Sequence, residues 1–166
     1  LLTGVPYSSS MTVALAYRKD TFPRPLNGFG FLVPKAERRR LVACTWVGTK
    51  FSHRVPDEWV VLRCFLGGAG DDAALKESDE ALVAAITGEL RGLMGVTQQP
   101  DFYRIARWPR SMAQYTVGHA ARVVEIEERR RQFPGLHLVG NAYQGIGIPD
   151  CIRMGRQAAE AITSAR

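Results

Sequence analysis

Long apolar runs are missing from this 166-residue chain: no stretch approaches the ~18 consecutive apolar residues that a membrane-spanning helix requires. The first residues show no basic-then-apolar targeting pattern either, so the chain reads as soluble. Cysteine is scarce. Cys44, Cys64 and Cys151 lie far apart with no C-x-x-C pair, which argues against a zinc site, a disulfide framework and an oxidising compartment. No G-x-S-x-G nucleophile elbow occurs, and His53, His119 and His137 lack metal-ligand spacing, so hydrolytic and metal-assisted chemistry lose support. A complete G-x-G-x-x-G is absent too. Gly145-Ile146-Gly147 would need its third glycine at Asp150, and Gly28-Phe29-Gly30 would need it at Val33.

What is present is ordinary globular composition, 46% hydrophobic and 23% charged, long enough to bury a core without covalent staples. The net charge of +6 would suit an anionic partner. The dense runs Arg38-Arg39-Arg40 and Arg129-Arg130-Arg131 adjoin Glu37 and Glu127-Glu128 and interleave with no aromatics, so a solvated face is the better reading than a nucleic-acid patch. A basic nucleic-acid-binding module is kept as the alternative from a different class, to be recognised by steeply salt-dependent binding.

The pattern predicts an α+β fold. Short β-favouring runs at 12–17, 30–33, 41–47 and 59–66 are separated by proline, glycine and charge, as in one antiparallel sheet with flanking helices. After the glycine run 67–70 the period changes to that of a helix, with Leu82, Ile86, Leu90 and Leu93 on one stripe, Ser78 as N-cap and Gly95 as terminator. A strand at 102–108 stopped by Pro109, an irregular segment 111–115 and a helix 119–132 with Glu125/Arg129 and Glu127/Arg131 pairs follow. The last unit reads as a buried strand 136–139, the loop 140–148 and a helix opening at Pro149, an order that aims backbone N–H groups at an electron-rich ligand.

Four blocks in order carry a family resemblance. Gly140-Asn141-Ala142-Tyr143-Gln144-Gly145-Ile146-Gly147-Ile148-Pro149-Asp150-Cys151-Ile152, ending in Gly155-Arg156-Gln157-Ala158-Ala159, resembles the closing flavin motif of the protoporphyrinogen oxidase family. Residues Pro25 to Pro34 resemble its G-F-G-x-L-V-P segment, and Ala43-Cys44-Thr45-Trp46 its next strand. Arg107-Trp108-Pro109 with Met112-Ala113-Gln114-Tyr115 and Gly118-His119 resembles R-W…M-P-Q-Y…G-H, with Ala113 where the family has proline.

The resemblance implies an FAD-dependent oxidase of haem biosynthesis that converts protoporphyrinogen IX to protoporphyrin IX and passes electrons to molecular oxygen; coproporphyrinogen III oxidation is the alternative within the family. It implies FAD contacts at Ile146, Gly147, Ile148 and Trp108, a porphyrinogen-binding wall including Gly30, Leu32, Thr45 and Phe65, and no catalytic acid, base or nucleophile. Residues 1–134 would belong to a substrate-binding domain and 135–166 to the C-terminal part of an FAD-binding domain. The family's amino-terminal pyrophosphate loop and membrane-facing region are not found here, and the chain opens at Leu1 without Met. The expectation is therefore a C-terminal portion that holds FAD weakly or not at all and is inactive alone. Cytoplasmic location, peripheral membrane contact through the absent region and a homodimer complete the expectations.

Overall fold

The structure is a computed structural model and describes residues 1–68 and 73–164; Ala69 and Gly70 of the glycine run lie outside the described residues. The elements are β1 (Tyr7–Arg18), β2 (Gly30–Leu32), β3 (Ala43–Trp46), α1 (Val47–Lys50), β4 (Trp59–Gly67), α2 (Asp79–Met94), β5 (Phe102–Ala113), α3 (His119–Arg130) and α4 (Ile148–Ser164), with short 3-10 turns between some of them. The strands form one sheet in the order β2-β3-β4-β1-β5. The β2/β3, β3/β4 and β4/β1 ladders are antiparallel, as the strand pattern predicts. By contacts the chain divides into two compact units, Ser9–Pro109 and Leu1–Ser8 with Arg110–Arg166.

The Ser9–Pro109 unit is organised by alternation along its strands. Met11, Val13, Leu15 and Tyr17 on β1, with Leu62, Cys64 and Leu66 on β4 and Cys44 on β3, are buried in one cluster with Leu82, Val83, Ile86, Leu90 and Met94 of α2. Side chains alternate between faces of a strand, so these same-parity residues define a single core face covered by α2. Each fully buried aliphatic contributes roughly 1.5–3 kcal/mol relative to exposure. Helix α2 begins and ends as its sequence dictates. The Ser78 hydroxyl accepts from the Ala81 N–H at 3.2 Å, and Gly95 closes the helix at φ 72°. Its Glu89 carboxylate accepts the backbone N–H groups of Arg40 and Leu41 at 2.8 and 3.0 Å, tying the segment before β3 to the helix. Arg40 of the first basic run is also paired with Glu77, whereas Arg38 and Arg39 are solvated.

In the second unit Val5, Ala113 and Ala142 form a small buried cluster joined by Tyr7 and Tyr143. Ile126 of α3 and Met154 of α4 are buried, whereas Ile148, Ile152 and Ile162 along α4 are exposed.

Several local expectations are corrected. Pro109 does not end its strand, because β5 lies at the edge of the sheet, where a missing N–H can be tolerated; Arg110, at φ 46°, marks the local distortion. The segment 111–115 is therefore strand as far as Ala113. Val47 opens the short α1 instead of extending β3. Helix α3 stops at Arg130, and Glu127 pairs with Arg130 rather than Arg131, while the Glu125/Arg129 pair forms as expected at 2.6 Å. Residues 136–139 are not a strand: a strand needs a ladder partner, and among the described residues none pairs with them. Among the described residues no helix is long and apolar enough to cross a membrane.

Candidate functional site

Gly30, Leu32, Thr45 and Phe65 come together. In the ladder registers Gly30 stands opposite Thr45, Leu32 opposite Ala43 and Ala43 opposite Phe65, so two adjacent cross-strand rows carry all four on the face opposite the α2 core. Arg63, opposite Thr45, belongs to the same face. Leu32 is 82% exposed and Phe65 half-buried, so neither is a core residue of the strand they occupy. Gly30 has a further reason to be glycine. Its φ is 139°, and an added Cβ would overlap the Cys44 carbonyl oxygen and stand 2.9 Å from the Thr45 Cα. The close approach is made by β3 itself. Trp108 lies in β5 and is half exposed. Its neighbour Arg107 is anchored by the carbonyls of Leu75 and Glu77, at 3.1 and 2.8 Å, and by Asp79 at 2.7 Å.

Ile146, Gly147 and Ile148 form the turn into α4, with both isoleucines solvent-facing. The turn is closed tightly against the first helical turn. An added Cβ at Gly145, where φ is 125°, would overlap the Asp150 carboxyl group, and one at Gly147 would stand 3.2 Å from Asp150 Oδ2. Asp150 is held in turn by Arg153 at 2.9 Å. The glycines thus let the Asp150 carboxyl group lie against the turn at a 17-residue helix's positive end, where the first N–H groups have no acceptor within the helix. That arrangement fits an electron-rich planar ring better than a pyrophosphate, which wants a full nest of glycine amides.

Residues not singled out as site residues build this turn. The Tyr115 hydroxyl accepts the Gly145 N–H and donates to the Asn141 carbonyl, each at 3.0 Å. Asn141 Nδ2 donates to the Ser111 carbonyl at 3.1 Å. The Tyr115 ring stacks on His119, with centroids 3.8 Å apart and planes 13° off parallel, and His119 Nε2 meets the Tyr143 carbonyl at 3.3 Å. The Met112–Tyr115 and Gly118-His119 blocks therefore fasten the 140–148 loop. Their co-occurrence with the glycine loop was the available signal in the sequence.

A family model described as flavin containing amine oxidoreductase matches residues 1–163, and the chain belongs to that family. It is 32% identical over 164 residues to coproporphyrinogen III oxidase of Bacillus subtilis (strain 168), covering 98% of this chain and 35% of that protein. It is 24% identical over 166 residues to protoporphyrinogen oxidase 2, chloroplastic/mitochondrial, of Arabidopsis thaliana, covering 98% of this chain and 33% of that one. A solved structure from Exiguobacterium sp. 255-15, provisionally named a protoporphyrinogen oxidase, superposes with TM-score 0.87 at 34% identity over 99% of this chain and 36% of that one. The chain spans about a third of the length of the curated relatives it matches.

Proposed function

We propose that this chain is part of an FAD-dependent porphyrinogen oxidase, with residues 1–134 serving the substrate-binding domain and 135–166 the FAD-binding domain. FAD supplies the redox chemistry, taking electrons from the porphyrinogen and delivering them to molecular oxygen. The chain's own residues bind, orient and exclude water. The Gly147 and Ile148 amides hold the electron-rich edge of the flavin at the helix terminus, and Ile146 and Ile148 give it apolar cover. Trp108, on the Ser9–Pro109 unit, is proposed as a further FAD contact. Gly30, Leu32, Thr45 and Phe65 form one wall for the flat macrocycle. The observation that carries the reading is that these four residues share a sheet face kept apart from the core.

The family resemblance implies protoporphyrinogen IX, with coproporphyrinogen III as the alternative. The relatives favour coproporphyrinogen III as a second reading, with 32% identity to the Bacillus protein against 24% to the Arabidopsis one. The test is to purify the full-length protein, read its flavin absorbance, and follow porphyrin fluorescence with each porphyrinogen in turn. Bound flavin and oxidation of either substrate are expected, and the ratio of kcat/KM values chooses between them. A protein that takes up no flavin and oxidises neither would end the proposal. The 166-residue segment alone is expected to bind FAD weakly, measured by titration calorimetry. Cytoplasmic location with peripheral membrane contact outside this segment is checked by fractionation.

A further inference from the structure

Cys44 and Cys64 face each other across the β3/β4 ladder, both buried and both free thiols, and the Cys64 Sγ–H donates to Cys44 Sγ at 3.9 Å. The ladder fixes how near they are. The Trp46 N–H donates to the Phe29 carbonyl, and the Gly68 N–H donates to the Ser9 carbonyl. Amides alternate in direction along an antiparallel strand, so the Cys44 amide points towards β2 and the Cys64 amide towards β1. The two cysteines are thus a non-hydrogen-bonded pair, the class in which Cα atoms lie about 4.5 Å apart and side chains approach most closely. That separation falls within the ~4.4–6.8 Å range that a disulfide spans.

We propose that Cys44 and Cys64 are a reversible dithiol–disulfide site, oxidised across the β3/β4 ladder by a peroxide. One sulfur attacks the peroxide, becoming a sulfenic acid as the first water leaves. The partner sulfur then displaces the second water, so two S–H bonds are lost, one S–S bond forms and the peroxide is reduced to two waters. A thiol reductant reverses the change by exchange. Access is through the sheet edge. There Phe31 stands opposite Cys44 on β2, a strand of only three residues, so a local opening that lifts this edge from the core is the route by which an oxidant reaches the pair. The sulfurs share their surroundings with Tyr17 of β1 and Glu89 of α2. The Cys64 pKa is pushed up by its hydrogen bond to Cys44, by burial and by the charges of Cys44 and Glu89, which keeps the pair reduced and slow to react until an oxidant persists.

The experiment treats the full-length protein with hydrogen peroxide under native conditions, quenches with acid, alkylates free thiols in denaturant and maps peptides without reduction. The expected result is a peptide pair joined through Cys44 and Cys64, lighter by two hydrogens, that separates on treatment with dithiothreitol. Cys44→Ser and Cys64→Ser variants should each lose the linked pair and leave the remaining sulfur open to alkylation or to a sulfenic-acid trap. The proposal is overturned if both thiols stay fully alkylatable, if they end as separate sulfinic acids, or if the link formed involves Cys151. The wild-type map decides the matter even if a variant fails to fold.

Discussion

Replacing Gly30 by alanine is expected to destabilise the Ser9–Pro109 unit substantially. The new Cβ would overlap the Cys44 carbonyl oxygen and lie 2.9 and 3.0 Å from the Thr45 Cα and the Cys44 carbonyl carbon, all of them backbone atoms. They cannot retreat cheaply, because β3 is held on its other side by its register with β4. Overpacking of this kind costs ~1–3 kcal/mol. Alanine at φ 139° adds roughly 1–3 kcal/mol of backbone strain. The alternative is for β2 to detach, which limits the loss because only three register pairs are forfeited. A net loss of about 2–4 kcal/mol follows, and at ~1–3 kcal/mol per M it appears as a urea midpoint lower by on the order of 1–2 M. Gly68→Ala is the internal control: its φ is 124° and an added Cβ meets nothing within 4 Å among the described residues, so it carries the conformational cost alone. Equal losses for the two variants, or a loss below about 0.5 kcal/mol for Gly30→Ala, would refute the backbone-contact reasoning.

Tyr115→Phe removes the acceptor of the Gly145 N–H and the donor to Asn141, and should lower stability by about 1–2 kcal/mol in a thermal melt and weaken flavin retention by the full-length protein. Unchanged flavin content would show that the loop holds its shape without the phenol. Tyr17→Phe should be neutral or stabilising, because the Tyr17 hydroxyl is buried with no hydrogen-bond partner among the described residues. Burial, and then the charges of Cys64 and Cys44, raise the Tyr17 pKa, so the group leaves stability independent of pH below the unfolded value of ~10 and lowers it as pH rises above that value. Alkaline stability curves should therefore fall less steeply for the variant, and identical slopes would contradict this. Ile86→Ala, in the α2 stripe with no exposed surface, should cost about 2–5 kcal/mol by chemical denaturation.

The legible parts of the fold were those encoded locally. Ser78 and Gly95 bracket α2 because a cap and a positive-φ terminator act within one helical turn, and the apolar stripe between them has a single period. The run through Pro109 was misread because tolerance of proline depends on whether the strand has a neighbour on that side, which is a property of the sheet order. The run 136–139 failed for a related reason: its apolar residues suit a strand, yet a strand is made by its partner. At the candidate site the motif blocks were visible, but their linkage was not. Tyr115 reaches Asn141 and Gly145 across 26 and 30 residues, and no local rule joins them.

The alternation along β3 and β4 also separates two kinds of evolutionary freedom. Cys44, Leu62 and Cys64 answer to α2 and the core, while Ala43, Thr45, Arg63 and Phe65, interleaved with them, answer to whatever lies against the opposite face. A library confined to those four positions would vary that surface's shape and charge while leaving every buried contact of the helix intact, so ligand preference could drift with little change in folding stability.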